Sequence, residues 1–226
     1  MTHVRAEMVV ERPGDYWRQE QVAQTYDRGR FDSLWGRLYK WREERTIARA
    51  LRSVPRHGRI LDAACGTGRI TALLQQQGFR ASGCDVSPAM MAVARQRLTS
   101  LGYDDVQFVE SGVERLPYPD QSFDAVTCIG LLMHLDADVR GRALREFARV
   151  SRGPLIIQYG CVDACQRLIA RVRGLPAGKV RRPVLESEME SDLACAGLLT
   201  RRRSWVLRGL SSSVIVVATR RAADTR

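Results

Sequence analysis

RILDAACGTGRITALLQQQGFRASGCDV, residues 59–86, decides the fold. Its apolar opening, Ile60 to Cys65, flows straight into the glycines at 66 and 68. A helical pattern then runs from about Arg69 to Gln77 and stops at Gly78. RASGCDV (80–86) is a second short strand. Strand, glycine turn, helix and strand in that order make a parallel βαβ unit.

The alternation continues downstream. Pro88 to Leu101 is a helix, with Ser87 as its cap and Pro88 in its first turn. DVQFVES (105–111) and FDAVTCIGLL (123–132) read as strands, Asp136 to Ser151 as an amphipathic helix, and GPLIIQYG (153–160) as a fifth strand. The strands at 60–65, 123–129 and 154–158 are apolar on both faces, as strands inside a parallel sheet must be. The expected fold is an open, doubly wound, Rossmann-like α/β sheet. A helix near 185–197 leads to LLTRRRSWVL (198–207) and SSVIVVAT (212–219), which would finish that sheet as an antiparallel hairpin. Upstream, apolar residues recur every three or four positions over 15–52, from Tyr16 and Trp17 to Leu51. Residues 1–54 are therefore expected as an N-terminal helical lid and 55–226 as the core. Trp35, Tyr39 and Trp41 read as a core stripe in preference to an acceptor wall. The linker signal falls at 174–183, GLPAGKVRRP.

In such a sheet, ligands bind at the carboxyl ends of the strands, where strand order reverses. The first strand leaves through Asp62-Ala63-Ala64-Cys65-Gly66-Thr67-Gly68, whose small residues let backbone approach a ligand. The second strand ends in Asp85, placed to accept both hydroxyls of a ribose. A dinucleotide fingerprint needs a third glycine, and Thr71 stands there instead. Asp62 also puts a carboxylate where a pyrophosphate prefers amide donors. A ligand with a positive amino group, such as S-adenosylmethionine, fits better.

The segments ILDAACGTGR (60–69), GCDVSPAMMAVAR (83–95), SGVERLPYPDQSFDAV (111–126) and CIGLLMHL (128–135) together resemble the class I S-adenosylmethionine-dependent methyltransferases of the small-molecule type. The resemblance covers about residues 58–150. It implies S-adenosylmethionine as cofactor, bound by Asp62, Ala64 (through its backbone), Gly66 and Gly68, with Asp85 on the ribose. It places Val86 and Met90 around the adenine, and Ile129 and Gly130 beside the methionine portion and the methyl. Tyr26 and Arg30, in YDRGRF, resemble a lid that closes over the cofactor; the plainer reading is a helix end packed on the core. In one place the chain departs from the family, which reads G-D-A-E before L-P-[FY]-P. Here Ser111-Gly112-Val113-Glu114 lacks the acid that approaches the adenine amino group. Val113 and Glu114 remain as candidates there. His134 follows the fourth strand and is the candidate general base, with a packed histidine or helix cap as the alternative.

Composition narrows the function classes. The formal charge is +11, yet only Lys40 and Lys179 are lysines and the arginines are scattered, apart from 171–182 and Arg201 to Arg203. No basic stripe interleaved with aromatics appears, which argues against nucleic acid. The 171–182 segment reads as a solvated loop or as an insertion covering the acceptor. The six cysteines include no C-x-x-C pair, and His3, His57 and His134 match no metal spacing. Buried reduced thiols are expected, with Cys161 and Cys165 as a helical pair and Cys195 in an apolar helical patch. No apolar run is long enough to span a bilayer and no signal peptide is evident, so a cytoplasmic setting is expected.

The expected activity is methyl transfer from S-adenosylmethionine to an oxygen or nitrogen of a small metabolite, by a monomer or homodimer. An RNA methyltransferase and a non-catalytic cofactor-binding regulator are the alternatives.

Overall fold

The computed structural model describes residues 20–161 and 184–221. Tyr16, Trp17, His3, Cys165, the 171–182 segment and the 174–183 linker lie outside them. Two helices come first, α1 (Glu20–Phe31) and α2 (Leu34–Ala50). The helical stretch expected over 15–52 breaks at Ser33, whose side chain caps α2 by accepting from the Gly36 N–H at 3.0 Å. A Cβ on Gly36 would stand 2.6 Å from the Arg30 carbonyl oxygen, so only glycine permits this tight elbow.

The core follows the expected alternation: β1 (Arg59–Ala63), α3 (Arg69–Gln76), β2 (Arg80–Asp85), α4 (Pro88–Ser100), β3 (Gln107–Glu110), β4 (Ala125–Cys128), α5 (Ala137–Val150), β5 (Leu155–Gly160), α6 (Glu186–Cys195), β6 (Leu198–Trp205) and β7 (Ser213–Arg220). One seven-stranded sheet has the order β3-β2-β1-β4-β5-β7-β6. All neighbours are parallel except β7, which runs antiparallel to both β5 and β6. The chain works outward from β1 to β3 and then returns to β4 on the other side of β1. Strand order therefore reverses between β1 and β4, and their carboxyl ends splay apart there.

Period-two alternation divides the strands between two apolar layers. Leu61, Val126, Leu155, Ile157, Val214 and Val216 pack toward α5 and α6. Ile60, Ala125, Ile156, Ile215 and Val217 pack toward α2 and α3. On the second face three buried positions of the central strands are polar: Asp62, Thr127 and Gln158. Polar groups buried in a sheet centre need partners, and theirs belong to the site described below.

Four expectations on local structure are corrected. The strand expected over 123–132 is confined to Ala125–Cys128, because Gly130 (φ +85) turns the chain out of the sheet and Leu132–His134 form a 3-10 turn. Trp35 and Trp41 are not core residues: they are 49% and 48% exposed, because α2 buries the opposite face through Gly36, Glu43, Ile47 and Ala50. Cys161 follows β5 directly and bridges to Val184 instead of lying in a helix. Cys195, at the last position of α6, is exposed, whereas Cys65, Cys84, Cys128 and Cys161 are buried thiols.

Candidate active site

β1 delivers the chain into a loop whose backbone turns left-handed three times, at Ala64 (φ +60), Gly66 (+52) and Gly68 (+73). For an alanine that conformation costs about 1–2 kcal/mol. Such strain persists only where the surroundings enforce it, and it gathers at functional sites. Here the Cys65 N–H binds the Cys84 carbonyl at 3.0 Å, and the Gly68 N–H binds the Cys65 carbonyl at 2.9 Å.

The loop is tied to the end of β2 by Asp85. Its Oδ2 accepts from the Gly66 N–H at 2.9 Å, and its Oδ1 accepts from the Ser87 N–H at 3.0 Å. Asp85 is 8% exposed. Burial pushes its carboxyl up, opposed by the N–H bonds from Gly66 and Ser87. An added Cβ on Gly66 would meet nothing within 4 Å, so the space before the loop is open.

Asp62 is more deeply buried. Its Oδ2 accepts from the Thr71 hydroxyl at 2.7 Å and its Oδ1 from the Thr127 hydroxyl at 3.1 Å. Burial pushes its carboxyl up to about 6, against the opposing effects of both threonines and Arg69. Cys65 also faces the cavity, but burial and the Asp62 and Asp85 carboxylates push its thiol well above the ordinary range. A thiol held neutral is a packing group, not a nucleophile.

These groups line a cavity of about 410 Å³ between the carboxyl ends of β1, β2 and β4. Helix α1 lies along it with Tyr26, Asp27, Arg30 and Phe31, two i,i+4 pairs on adjoining faces. The Arg30 guanidinium donates to the Tyr26 hydroxyl at 2.8 Å and sits 5.2 Å from the Phe31 ring centre. The Thr67 hydroxyl donates to Asp27 Oδ2 at 3.0 Å, and Arg97 of α4 pairs with the same oxygen. Asp27 Oδ1 is buried and has no partner among the described residues. Behind the cavity, Glu43 of α2 is fully buried and holds Arg69, the Gln158 amide (2.7 Å) and the Tyr39 hydroxyl (2.9 Å). That network fixes α2 to α3 and β5 at the site's back wall.

Thirteen of the fourteen positions singled out in the sequence line this cavity: Tyr26, Arg30, Asp62, Ala64, Gly66, Asp85, Val86, Met90, Val113, Glu114, Ile129, Gly130 and His134. Gly68 does not. A Cβ there would stand 2.8 Å from the Ala94 Cβ, so its task is to let α4 pack against the loop. Sequence reading missed Asp27, Phe31, Thr67 and Arg69. The i,i+4 spacing of Asp27 and Phe31, shifted by one from Tyr26 and Arg30, was the available signal. Gly112 also lines the cavity, beside Glu114, whose carboxylate pairs with Arg142 at 3.6 Å.

Residues 60–153 match the methyltransferase domain family. Among curated proteins, a demethylmenaquinone methyltransferase from Thermus thermophilus is 37% identical over 133 residues, covering 58% of this chain and 57% of that protein. A ubiquinone/menaquinone biosynthesis C-methyltransferase UbiE from Xanthomonas oryzae is 43% identical over 98 residues, covering 41% of this chain and 37% of that protein. The chain thus spans about half the length of the curated relatives it matches. Among solved structures, magnesium protoporphyrin IX methyltransferase from Synechocystis PCC 6803, with bound SAH, superposes with a TM-score of 0.73 at 19% identity, covering 92% of this chain and 98% of that one. That likeness establishes the fold.

Proposed function

We propose that the chain transfers a methyl group from S-adenosylmethionine to a small-molecule acceptor, as its match to the methyltransferase domain family over residues 60–153 supports. One observation carries the reading most directly. Asp85, almost fully buried, is held by the Gly66 and Ser87 N–H groups at the edge of open space, as a ribose-binding carboxylate would be. The strained Ala64 and the glycine loop would carry the methionine portion, Val86 and Met90 the adenine, and Ile129 and Gly130 the methyl end. When bound, the cofactor supplies an electrophilic methyl on a sulfonium.

The chain's own residues orient and enclose. Of the expected lid, helix α1 closes one wall through Tyr26, Arg30 and Phe31, and Leu131, Leu135 and Val139 give an apolar wall on the other side. Orientation of two reactants and exclusion of water supply about 7–11 kcal/mol of a barrier. His134 lines the same cavity from the turn after β4 and is placed to take a proton where the acceptor must lose one. The expected acceptor atom was oxygen or nitrogen. Relatives whose names specify C-methyltransferase add carbon to that set.

The acceptor is read as a small molecule because the basic run is already engaged. Arg201 donates to the Thr219 hydroxyl at 2.8 Å, Arg202 to the Arg49 carbonyl at 2.9 Å, and Arg203 pairs with Glu186 at 3.1 Å. These residues lie on β6, the sheet edge, where charge blocks unwanted strand pairing. The same reading takes the protein as a cytoplasmic monomer or homodimer, which fractionation and light scattering would measure. Among the described residues no helix is long and apolar enough to cross a membrane.

Calorimetry with S-adenosylhomocysteine tests the cofactor. Asp85→Ala should weaken binding by two orders of magnitude or more, since two charge-assisted bonds are each worth about 1.5–3 kcal/mol. No binding by the native chain, or unchanged binding by the variant, refutes the reading. His134→Ala should lower kcat at neutral pH and leave cofactor affinity intact; an unchanged rate assigns catalysis to positioning alone.

A further inference from the structure

The outer face of α2 is unlike the rest of the surface. Leu34, Leu38 and Trp41 lie at i, i+4 and i+7 on one side of the helix and are 85%, 42% and 48% exposed. Trp35, on the flank, is 49% exposed. Exposed apolar residues scattered singly need no explanation, but four on one helix form a contiguous patch. The turn at 206–212 joins it. Arg42 Nε donates to the Val206 carbonyl at 3.4 Å and the Tyr39 hydroxyl meets Ser213 Oγ at 2.7 Å, which brings that turn, with Leu210 at 66% exposure, beside the helix.

The exposed charges on this side of α2 are mainly arginines, with the exposed Asp32 just before the helix. Arg37, Arg45 and Arg49 are exposed on the same side of α2, and Arg45 lies 5.0 Å over the Trp41 ring. The helix's two acids are elsewhere: Glu43 is buried on Arg69, and Glu44 is taken by Arg69 at 3.3 Å and Lys40 at 4.0 Å. Leucine and tryptophan along one helix face, rimmed by arginines whose stems reach past them, fit the boundary between lipid headgroups and acyl chains. A second copy of this chain fits poorly, because a two-fold contact would bring the arginine sets of the two copies, Arg37, Arg45 and Arg49, together. The face is the convex side of one helix, suited to a flat surface and not to a groove.

We propose that this face of α2 docks the protein reversibly on an anionic lipid surface. It lies immediately after the α1–α2 elbow. This goes beyond the methyl-transfer reading and does not depend on it.

The test is co-sedimentation of the full chain with vesicles of phosphatidylcholine alone and with about 30% phosphatidylglycerol. The expected result is binding to the anionic vesicles, relieved by salt, with tryptophan emission moving to shorter wavelength. Leu38→Glu with Trp41→Glu should reduce binding tenfold or more and leave S-adenosylhomocysteine affinity and the melting temperature unchanged. Should that pair misfold, Arg37→Ala and Arg45→Ala serve, each weakening binding roughly fivefold, as expected for one cation near such a surface. Absence of binding to anionic vesicles, or binding indifferent to both sets of variants, overturns the proposal. Light scattering that shows a dimer broken by Leu38→Glu, with no vesicle binding, overturns it in favour of a second copy.

Discussion

The Glu114 carboxylate stands 3.2 Å from the point where a Cβ on Gly112 would project. The position at which the family pattern carries an acid is therefore approached by an acid two residues later. Its other contact is a long ion pair with Arg142, and its side chain is 42% exposed. Glu114→Ala should weaken S-adenosylhomocysteine binding about two- to tenfold, the worth of one exposed hydrogen bond. Gly112→Asp alone should not tighten it, because the new carboxylate would meet Glu114. Gly112→Asp with Glu114→Ala should recover native affinity. Calorimetry on the three variants checks this, and a tighter single Gly112→Asp variant would show that Glu114 takes no part.

Asp62 makes a prediction in pH. Its carboxyl rises from 3.8 to about 6 through burial, the threonine bonds and Arg69 only partly opposing this. Below pH 3.8 it is neutral both folded and unfolded. Between 3.8 and about 6 the unfolded chain ionises first, so stability falls as pH rises through that window. Above 6 the full loss, about 3 kcal/mol at 1.36 kcal/mol per pH unit, is in place. Asp62→Asn should therefore melt higher than the native chain at pH 7.5, with the gap closing toward pH 4. Cofactor affinity should fall in the same variant if the carboxylate faces the cofactor's ammonium. Thermal melts across pH and calorimetry at pH 7.5 read the two effects separately.

Gly68 packs against Ala94 and lies outside the cavity lining. Gly68→Ala would add a Cβ 2.8 Å from Ala94 at a backbone φ of +73. Strain and overlap together should cost about 2–4 kcal/mol, or roughly 5–15 °C in Tm for a domain of this size. The folded fraction should still bind S-adenosylhomocysteine within a few fold of the native chain. Gly66→Ala should show the reverse balance, because nothing lies within 4 Å of its Cβ except the space a ligand would fill.

That contrast marks what the sequence made legible. The strands, the switch point and the cavity wall follow from short-range chemistry: apolar periodicity, a capping serine before Pro88, and glycines where the backbone turns left-handed. All are written within a few residues of where they act. The exposed face of α2 was not legible, because an apolar stripe at helical spacing does not say whether it faces the sheet. Glu43 settled that by pairing with Arg69 and, together with Tyr39, with Gln158, 115 residues from Glu43 along the chain. The end of β4 was misread for a similar reason. Apolar residues continue to Leu132, but Gly130 redirects the chain and sends them to the cavity wall and the core beneath.

Helix α1 is attached to the core through Asp27. Its Oδ2 is shared by the Thr67 hydroxyl, within the glycine loop, and Arg97, at the last turn of α4; Arg97 also donates to Thr67 Oγ1 at 3.3 Å. One carboxylate thus joins α1, the loop and α4 beside the cavity. The ion pair is about a quarter exposed on each side, so its worth to global stability is small, under about 1 kcal/mol. Its worth to ligand retention should be larger, because α1 lines the cavity beside the loop. Asp27→Ala and Arg97→Ala are therefore expected to leave Tm within a few degrees and to raise the S-adenosylhomocysteine dissociation rate about three- to tenfold, with little change in the association rate. Asp27→Asn, which keeps an acceptor for Thr67 but loses the charge, should fall between. Stopped-flow release measures all three. Equal dissociation rates in the native chain and both alanine variants would mean that the α1–loop contact is packing alone.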